Sequence, residues 1–153
     1  MKQDVQKVAL AVGRTGCYYL ALCSWAESLG GEVVDPLDVF PAFVSRGWLG
    51  PDAFMKNPAA ILEWLTHKTW TVFKAGPGHE LPLDYQLKEG EYEILRFERP
   101  LKQGEGPSTE SAHFVRGTGV GPMNQRRILW DSWTGSSAVI DGALVSRRIF
   151  RKQ

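Results

Sequence analysis

Apolar residues follow a helical period near the start of the chain. Residues 16–29 carry small and apolar side chains on one helical face, and further apolar side chains widen that face. This pattern predicts a helix that is buried on most of its sides. The pair Gly30-Gly31 predicts where the helix ends, because glycine readily adopts the left-handed conformation found there.

Two Asx-Pro pairs predict the starts of further helices. Asp35-Pro36 has the form of an N-cap residue followed by proline at the first helical position, and the helix is expected to stop near Gly47. Asn57-Pro58 repeats the signal before a second apolar segment. The first 68 residues are therefore predicted to be mainly helical.

The pattern changes from residue 69 onward to short segments rich in β-branched and aromatic residues. Several of them alternate between apolar and polar positions, which is typical of half-buried strands. Helices followed by an antiparallel sheet indicate the α+β class. A length of 153 residues and the lack of a boundary predict one domain over residues 1–153. The predicted strands are residues 69–74, 92–98, 112–116, 127–133 and 145–150.

Charge and hydropathy narrow the classes of function. The formal net charge is +1, which gives no global attraction to nucleic acid or to an anionic membrane. Near the C-terminal end, a basic run is predicted to be a solvated edge strand or tail. It consists of Arg147, Arg148, Arg151 and Lys152.

The first residues do not have the form of a signal peptide. Gln6, Lys7 and Arg14 interrupt the apolar stretch there, and no apolar run approaches the roughly 20 residues of a membrane span. We therefore expect a cytoplasmic protein without a membrane span. The oligomeric state stays open.

The two cysteines are not expected to pair or to bind a metal. Cys17 and Cys23 are six positions apart, which on a helix rotates them by roughly 240° from each other. The chain contains no CxxC or HxxxH motif, so no metal site and no cofactor are predicted. Cys23 lies among apolar neighbours and is assigned to the core.

Cys17, His113 and Asp131 are the candidates for chemistry. Cys17 opens the predicted buried helix, where the free N–H groups of the first turn favour a thiolate. His113 opens one predicted strand and Asp131 lies in the next, 18 residues on, so the two can face each other across a hairpin. A thiol, an imidazole and a carboxylate are the groups of a cysteine hydrolase. His79, in a predicted loop, is the alternative base.

Three short segments carry a resemblance to a known family. GCYYLAL, AHFV and LWDSW, in this order, resemble papain-like cysteine peptidases of the bacterial kind, such as the leader-cleaving domains of bacteriocin exporters and cell-wall peptidases. The whole chain also looks like an uncharacterised phage- and plasmid-associated family of that fold. The resemblance implies Cys17 as nucleophile, His113 as base and Asp131 as the residue that orients the histidine. It also implies a peptide or peptidoglycan-like substrate.

One position departs from the family pattern. Papain-like peptidases usually carry a glutamine of the oxyanion hole six residues before the cysteine, and Ala11 stands there in this chain. Loss of one such donor costs roughly 10²–10³ in rate. A catalytically silent domain that binds a peptide, a cell-wall fragment or a phage partner is therefore the alternative, and acyl transfer is a third possibility. Trp133 is predicted to share the face of Asp131 and to contact substrate.

Overall fold

The computed structural model describes residues 11–12, 16–108, 111–120, 126–132 and 135–153. Within them the chain forms four helices and a five-stranded antiparallel sheet, which confirms the α+β class. Three helices come first and the strands follow. The helices are α1 (Cys17–Ser28), α2 (Pro36–Ser45), α3 (Pro58–Thr66) and α4 (Ser137–Ile140). The strands are β1 (Trp70–Ala75), β2 (Glu91–Glu98), β3 (Ala112–Val120), β4 (Arg126–Trp130) and β5 (Ala143–Lys152).

Both Asx-Pro pairs begin helices, as predicted. The Asp35 carboxylate accepts a hydrogen bond from the Leu37 backbone N–H at 2.9 Å, and the Asn57 amide oxygen accepts from the Ala60 N–H at 3.1 Å. Each bond satisfies a backbone donor that the first helical turn leaves without a partner. The capping side chains thus explain why α2 and α3 start where they do.

Helix α1 begins differently, at Gly16, which has no capping side chain. The Gly16 N–H donates to the Val12 carbonyl oxygen at 2.9 Å, and a Cβ at position 16 would lie 2.4 Å from that oxygen. Only glycine, which has no Cβ, can lie this close to the backbone of Val12. The glycine therefore lets the chain enter α1 with Cys17 at its first position.

The sheet has the order β1-β5-β2-β3-β4, so β5 is an interior strand. The prediction of a solvated edge strand or tail for the basic run was wrong. Arg147 is fully buried, and its guanidinium donates to the fully buried carboxylate of Glu93 on the neighbouring strand β2. Arg151, whose side chain is 41% exposed, pairs with the buried carboxylate of Glu91.

The core lies between helices α1–α3 and one face of the sheet. Helix α1 packs on that face: the Tyr18 ring lies 4.6 Å from the Phe114 ring of β3, and the Trp25 indole N–H donates to the Glu93 carbonyl oxygen at 2.8 Å. Helix α4 packs on the sheet through β2, β3 and β5. None of the helices in the described part of the chain has the length and hydropathy needed to cross a bilayer.

Candidate functional site

Helix α1 and strands β3 and β4 bring the three predicted residues to one end of the sheet. Cys17 is the first residue of α1, His113 is the second residue of β3, and Asp131 directly follows β4. The prediction that Asp131 lies within a strand was wrong, because β4 ends at Trp130. Asp131 therefore lies just past the end of β4, where β3 and β4 are no longer paired.

The strand pair opens at the level of Cys17. Pairing between β3 and β4 ends, on the side of His113, at the partners Arg116 and Trp130. Beyond that point the Phe114 N–H donates to the Cys17 sulfur at a distance of 3.5 Å. The sulfur thus occupies a place at the edge of β3 next to His113, although the bonded residues are 97 positions apart.

His113 is linked to Asp131 through one ring nitrogen. Its Nε2 is hydrogen-bonded to Asp131 Oδ1, the histidine side chain is fully buried, and the aspartate side chain is 11% exposed. Because a carboxylate only accepts, Nε2 carries the proton in this bond, and Nδ1 of the neutral ring is left as an acceptor. Asp131 therefore selects the tautomer with the proton on Nε2.

Nδ1 of His113 is buried and has no hydrogen-bond partner in suitable geometry among the described residues. Cys17 is nevertheless close enough to the ring to influence its pKa. Burial by itself lowers the pKa of His113, but the interactions with Cys17 and Asp131 outweigh it, so the pKa of His113 is raised above its usual value. With Nε2 taken by Asp131, Nδ1 is the ring nitrogen available to the thiol.

The two cysteines occupy different environments on the same helix. Both are buried and free. Cys23 belongs to the apolar core, which confirms its predicted assignment, and burial raises the pKa of its thiol to about 12 against a weaker opposing hydrogen bond with Tyr19. Cys23 therefore stays protonated in the folded protein at neutral pH, whereas Cys17 has an imidazole beside it.

His79 lies outside this cluster. It is an exposed residue in the loop after β1, the edge strand on the far side of the sheet. Strands β5 and β2 lie between β1 and β3, which places β1 about 14 Å from β3. His113 is therefore the histidine that accompanies Cys17.

Two other predicted features bear on the site. Ala11, which packs against the core, has only a methyl side chain and supplies no side-chain donor for an oxyanion. Trp133, the predicted substrate contact, lies outside the described residues. Among the residues that the structure does describe, no three His, Cys, Asp or Glu side chains come together as in a metal site.

A groove of about 150 Å³ runs beside the cluster, and we call it the α1 groove. No pattern in the sequence indicated that Trp130, at the end of β4, lines the same groove as Leu20 and Ser24 of α1. A larger cavity of about 520 Å³ lies elsewhere, between Trp48 and Trp64. The α1 groove is lined by Leu20, Cys23, Ser24, Glu27, Glu32, Val34, Pro36 and Trp130.

Comparison with known proteins assigns the chain to a family. Residues 1–152 match the family described as "Protein of unknown function, DUF261", and the chain belongs to it. No curated protein and no solved structure matches the chain. The function of this chain is therefore inferred from the geometry of the site.

Proposed function

We propose that this protein is a papain-like, thiol-dependent hydrolase that cleaves a peptide or another amide bond with Cys17, His113 and Asp131. The observation that carries the proposal is the buried His113 ring. One of its nitrogens is hydrogen-bonded to Asp131, while the other lacks a conventional partner among the described residues and is available to Cys17. Burial of a ring with an unused nitrogen costs free energy, and a proton-transfer role accounts for that cost.

Each residue has a defined part in the reaction. His113 takes the proton of the Cys17 thiol, and the thiolate attacks the carbonyl carbon of the amide. The C–N bond breaks, the amine leaves with the proton from the imidazolium, and a thioester remains on Cys17. Water, deprotonated by His113, then attacks the thioester, which releases the acid and restores the thiol.

Asp131 acts on the histidine and not on the substrate. Its carboxylate keeps the proton on Nε2 and stabilises the imidazolium that forms when His113 takes the thiol proton. The negative charge that develops on the carbonyl oxygen needs hydrogen-bond donors. Ala11 offers none through its side chain, so the backbone N–H of Cys17, at the start of α1, is the candidate donor.

The alternative is a catalytically silent domain of the same fold that binds a peptide, a cell-wall fragment or a phage partner. Two observations favour it: the oxyanion glutamine of papain-like peptidases is replaced by Ala11, and the side chains of the cluster are nearly closed to solvent. Cys17 is 5% exposed and His113 is fully buried. Such a domain needs no thiolate, whereas a hydrolase does.

Selective alkylation separates the two functions. We expect iodoacetamide to label Cys17 near neutral pH while Cys23, with a pKa of about 12, stays unlabelled until the protein unfolds. His113→Ala should slow the labelling of Cys17 by at least about tenfold, because the imidazole no longer takes the thiol proton. The rates are read for each cysteine by mass spectrometry.

His79→Ala is the matched control, since it removes an exposed histidine far from the thiol and should leave the rate unchanged. Labelling of Cys17 that is indifferent to His113, or equal for both cysteines, would support the silent domain and contradict the hydrolase.

A further inference from the structure

The α1 groove and the catalytic cluster share two elements of the fold, although none of Cys17, His113 and Asp131 lines the groove. Leu20 follows Cys17 by nearly one helical turn, and Trp130 directly precedes Asp131. Arg116, paired in register with Trp130, donates to the Ser24 hydroxyl at 2.7 Å and so joins β3 to α1 at the level of the groove. Helix α1, which begins at Cys17, and strand β4, which Asp131 follows, therefore both line the groove, together with residues 32–36 that lead into α2.

The chemistry of the groove changes along its length. Apolar side chains line the part near Leu20, whereas the far part has the exposed carboxylates of Glu27 and Glu32. No lysine or arginine is among the lining residues. The nearby Arg116 is engaged with Ser24 and stacks 4.0 Å over the Trp25 ring.

Of the two carboxylates, Glu32 lies beside a histidine and Glu27 does not. Glu32 lies 3.0 Å from the His67 ring nitrogen at the surface, and Glu27 forms no ion pair with any residue that the structure describes. The far part of the groove therefore has a negative potential that a cationic group of a ligand can neutralise.

The spacing along α1 sets how far a ligand must reach. Glu27 lies ten positions after Cys17, which corresponds to about 15 Å along the helix. An extended chain rises about 3.3 Å per residue, so four to five residues cover that distance.

We propose that the α1 groove binds a peptide segment with a basic side chain, so that substrates carry Lys or Arg about four to five residues from the bond that Cys17 attacks. This inference rests on the proposed hydrolase function and specifies the substrate class of the same site. Apolar side chains closer to the scissile bond contact Leu20 and Trp130, and the basic side chain reaches Glu27 and Glu32.

Peptides that carry an electrophile test the proposal without a known substrate. One series has an N-terminal chloroacetyl group and the other a C-terminal chloromethyl ketone, so that both chain directions are covered. Each peptide has leucine beside the electrophile and lysine, norleucine or glutamate four or five residues away. The measured quantity is the second-order rate constant for labelling of Cys17.

In one of the two series, lysine peptides should label Cys17 about tenfold faster than glutamate peptides at low ionic strength, with norleucine between them. The difference should shrink at about 0.5 M salt, because exposed charges are screened. The double variant Glu27→Gln/Glu32→Gln should lose most of the lysine preference. Glu63→Gln, the same change on the neighbouring helix α3, should retain it.

Equal rates for lysine and glutamate peptides in both series would overturn the proposal, as would a lysine preference that survives the double variant. Chloroacetamide without a peptide distinguishes a failure of the groove proposal from a failure of the hydrolase proposal. If its reaction with Cys17 depends on His113 while lysine peptides show no advantage, the groove assignment alone fails. If the lysine advantage is present and the dependence on His113 is absent, the hydrolase fails and the groove remains a peptide site.

Discussion

Two buried pairs of an acid and a base lie on the same face of the sheet. Register places Glu93 opposite Gly117 and Phe97 opposite His113, so the side chains of Glu93 and His113 point to the same side. Arg147 belongs to this face too, opposite Leu95. The pairs Arg147–Glu93 and His113–Asp131 therefore lie on one face of the sheet, but they differ in whether the base can change its charge.

The arginine of the first pair is locked in place. Arg147 Nε donates to Glu93, and one terminal nitrogen donates to the carbonyl oxygens of Leu83 and Tyr85 at 3.0 and 2.6 Å. Arginine stays charged at any relevant pH, so this pair holds the loop before β2 against the sheet and has no proton to exchange. His113 Nδ1 and Arg147 Nη2 are both buried without a conventional partner among the described residues, but only the imidazole can change its charge near neutral pH. The two pairs therefore differ in whether the base can release a proton, and not in burial or in an unused nitrogen.

The largest expected effect is on the structural pair. Glu93→Gln leaves Arg147 as a buried charge without a counterion, and we expect it to lower the free energy of unfolding by about 3–5 kcal/mol. Urea denaturation measures this value. The matched control is Glu98→Gln on the same strand, which breaks the partly exposed pair with Arg96 and should cost about 1 kcal/mol or less.

The double variant Glu93→Leu/Arg147→Met removes both charges together and should recover most of the lost stability, since neither ion then lacks a partner. If Glu93→Gln costs no more than Glu98→Gln, the structural role of the first pair is refuted.

A smaller effect is expected at the reactive pair. Asp131→Ala should slow alkylation of Cys17 at neutral pH by about tenfold to a hundredfold, less than the 10²–10⁴ typical of removing a general base. Asp131→Asn should restore much of the rate, because an amide oxygen still accepts from Nε2 and holds the tautomer. Mass spectrometry of the labelled peptide gives the rates. If the Asn variant is as slow as the Ala variant, a positioning role for Asp131 is wrong.

The smallest effect is the pH dependence of stability. The pKa of His113 is raised in the folded protein, so the stability due to its protonation is fully present below the unfolded-state pKa of about 6.5 and is lost as pH rises through the folded-state pKa. The difference in unfolding free energy between wild type and His113→Gln should therefore be greater at pH about 5.5 than at about 8.5.

Cys17→Ala tests the cause of this shift, since it removes one of the two partners that raise the pKa of His113. The pH dependence should become weaker but persist through Asp131. A pH dependence of the opposite sign would show that burial, and not these partners, dominates the ionisation of His113.

Local signals predicted the first half of the fold well. Asp35-Pro36 and Asn57-Pro58 identify helix starts because the cap and the proline act within a single turn. Helix α4 was missed because it has only four residues, and its cap at Ser136 resembles an ordinary loop signal. Confirmed elements are thus those whose physical causes lie within a few residues of one another.

Arg147 and Asp131 show what sequence alone does not specify. The partner of Arg147 is 54 positions away on another strand, so nothing near the arginine indicates a buried ion pair. The hydrogen bond between His113 and Asp131 agrees with the predicted hairpin arrangement, although the aspartate lies just beyond its strand. The α1 groove depends on the distance between two elements, and a hydrophobic pattern describes only one element at a time.

The position of β5 in the sheet has a consequence for folding. Strands β1 and β2 follow each other along the chain, yet they do not pair, because β5, the last strand in sequence order, lies between them. Strand β1 therefore cannot join the β2–β3–β4 part of the sheet until β5 inserts, and the entropy of closing these long loops is lost before the pairings compensate for it. We expect the insertion of β5 to be the slow step of folding, because β2, β3 and β4, which bring His113 and Asp131 together, pair through shorter connections.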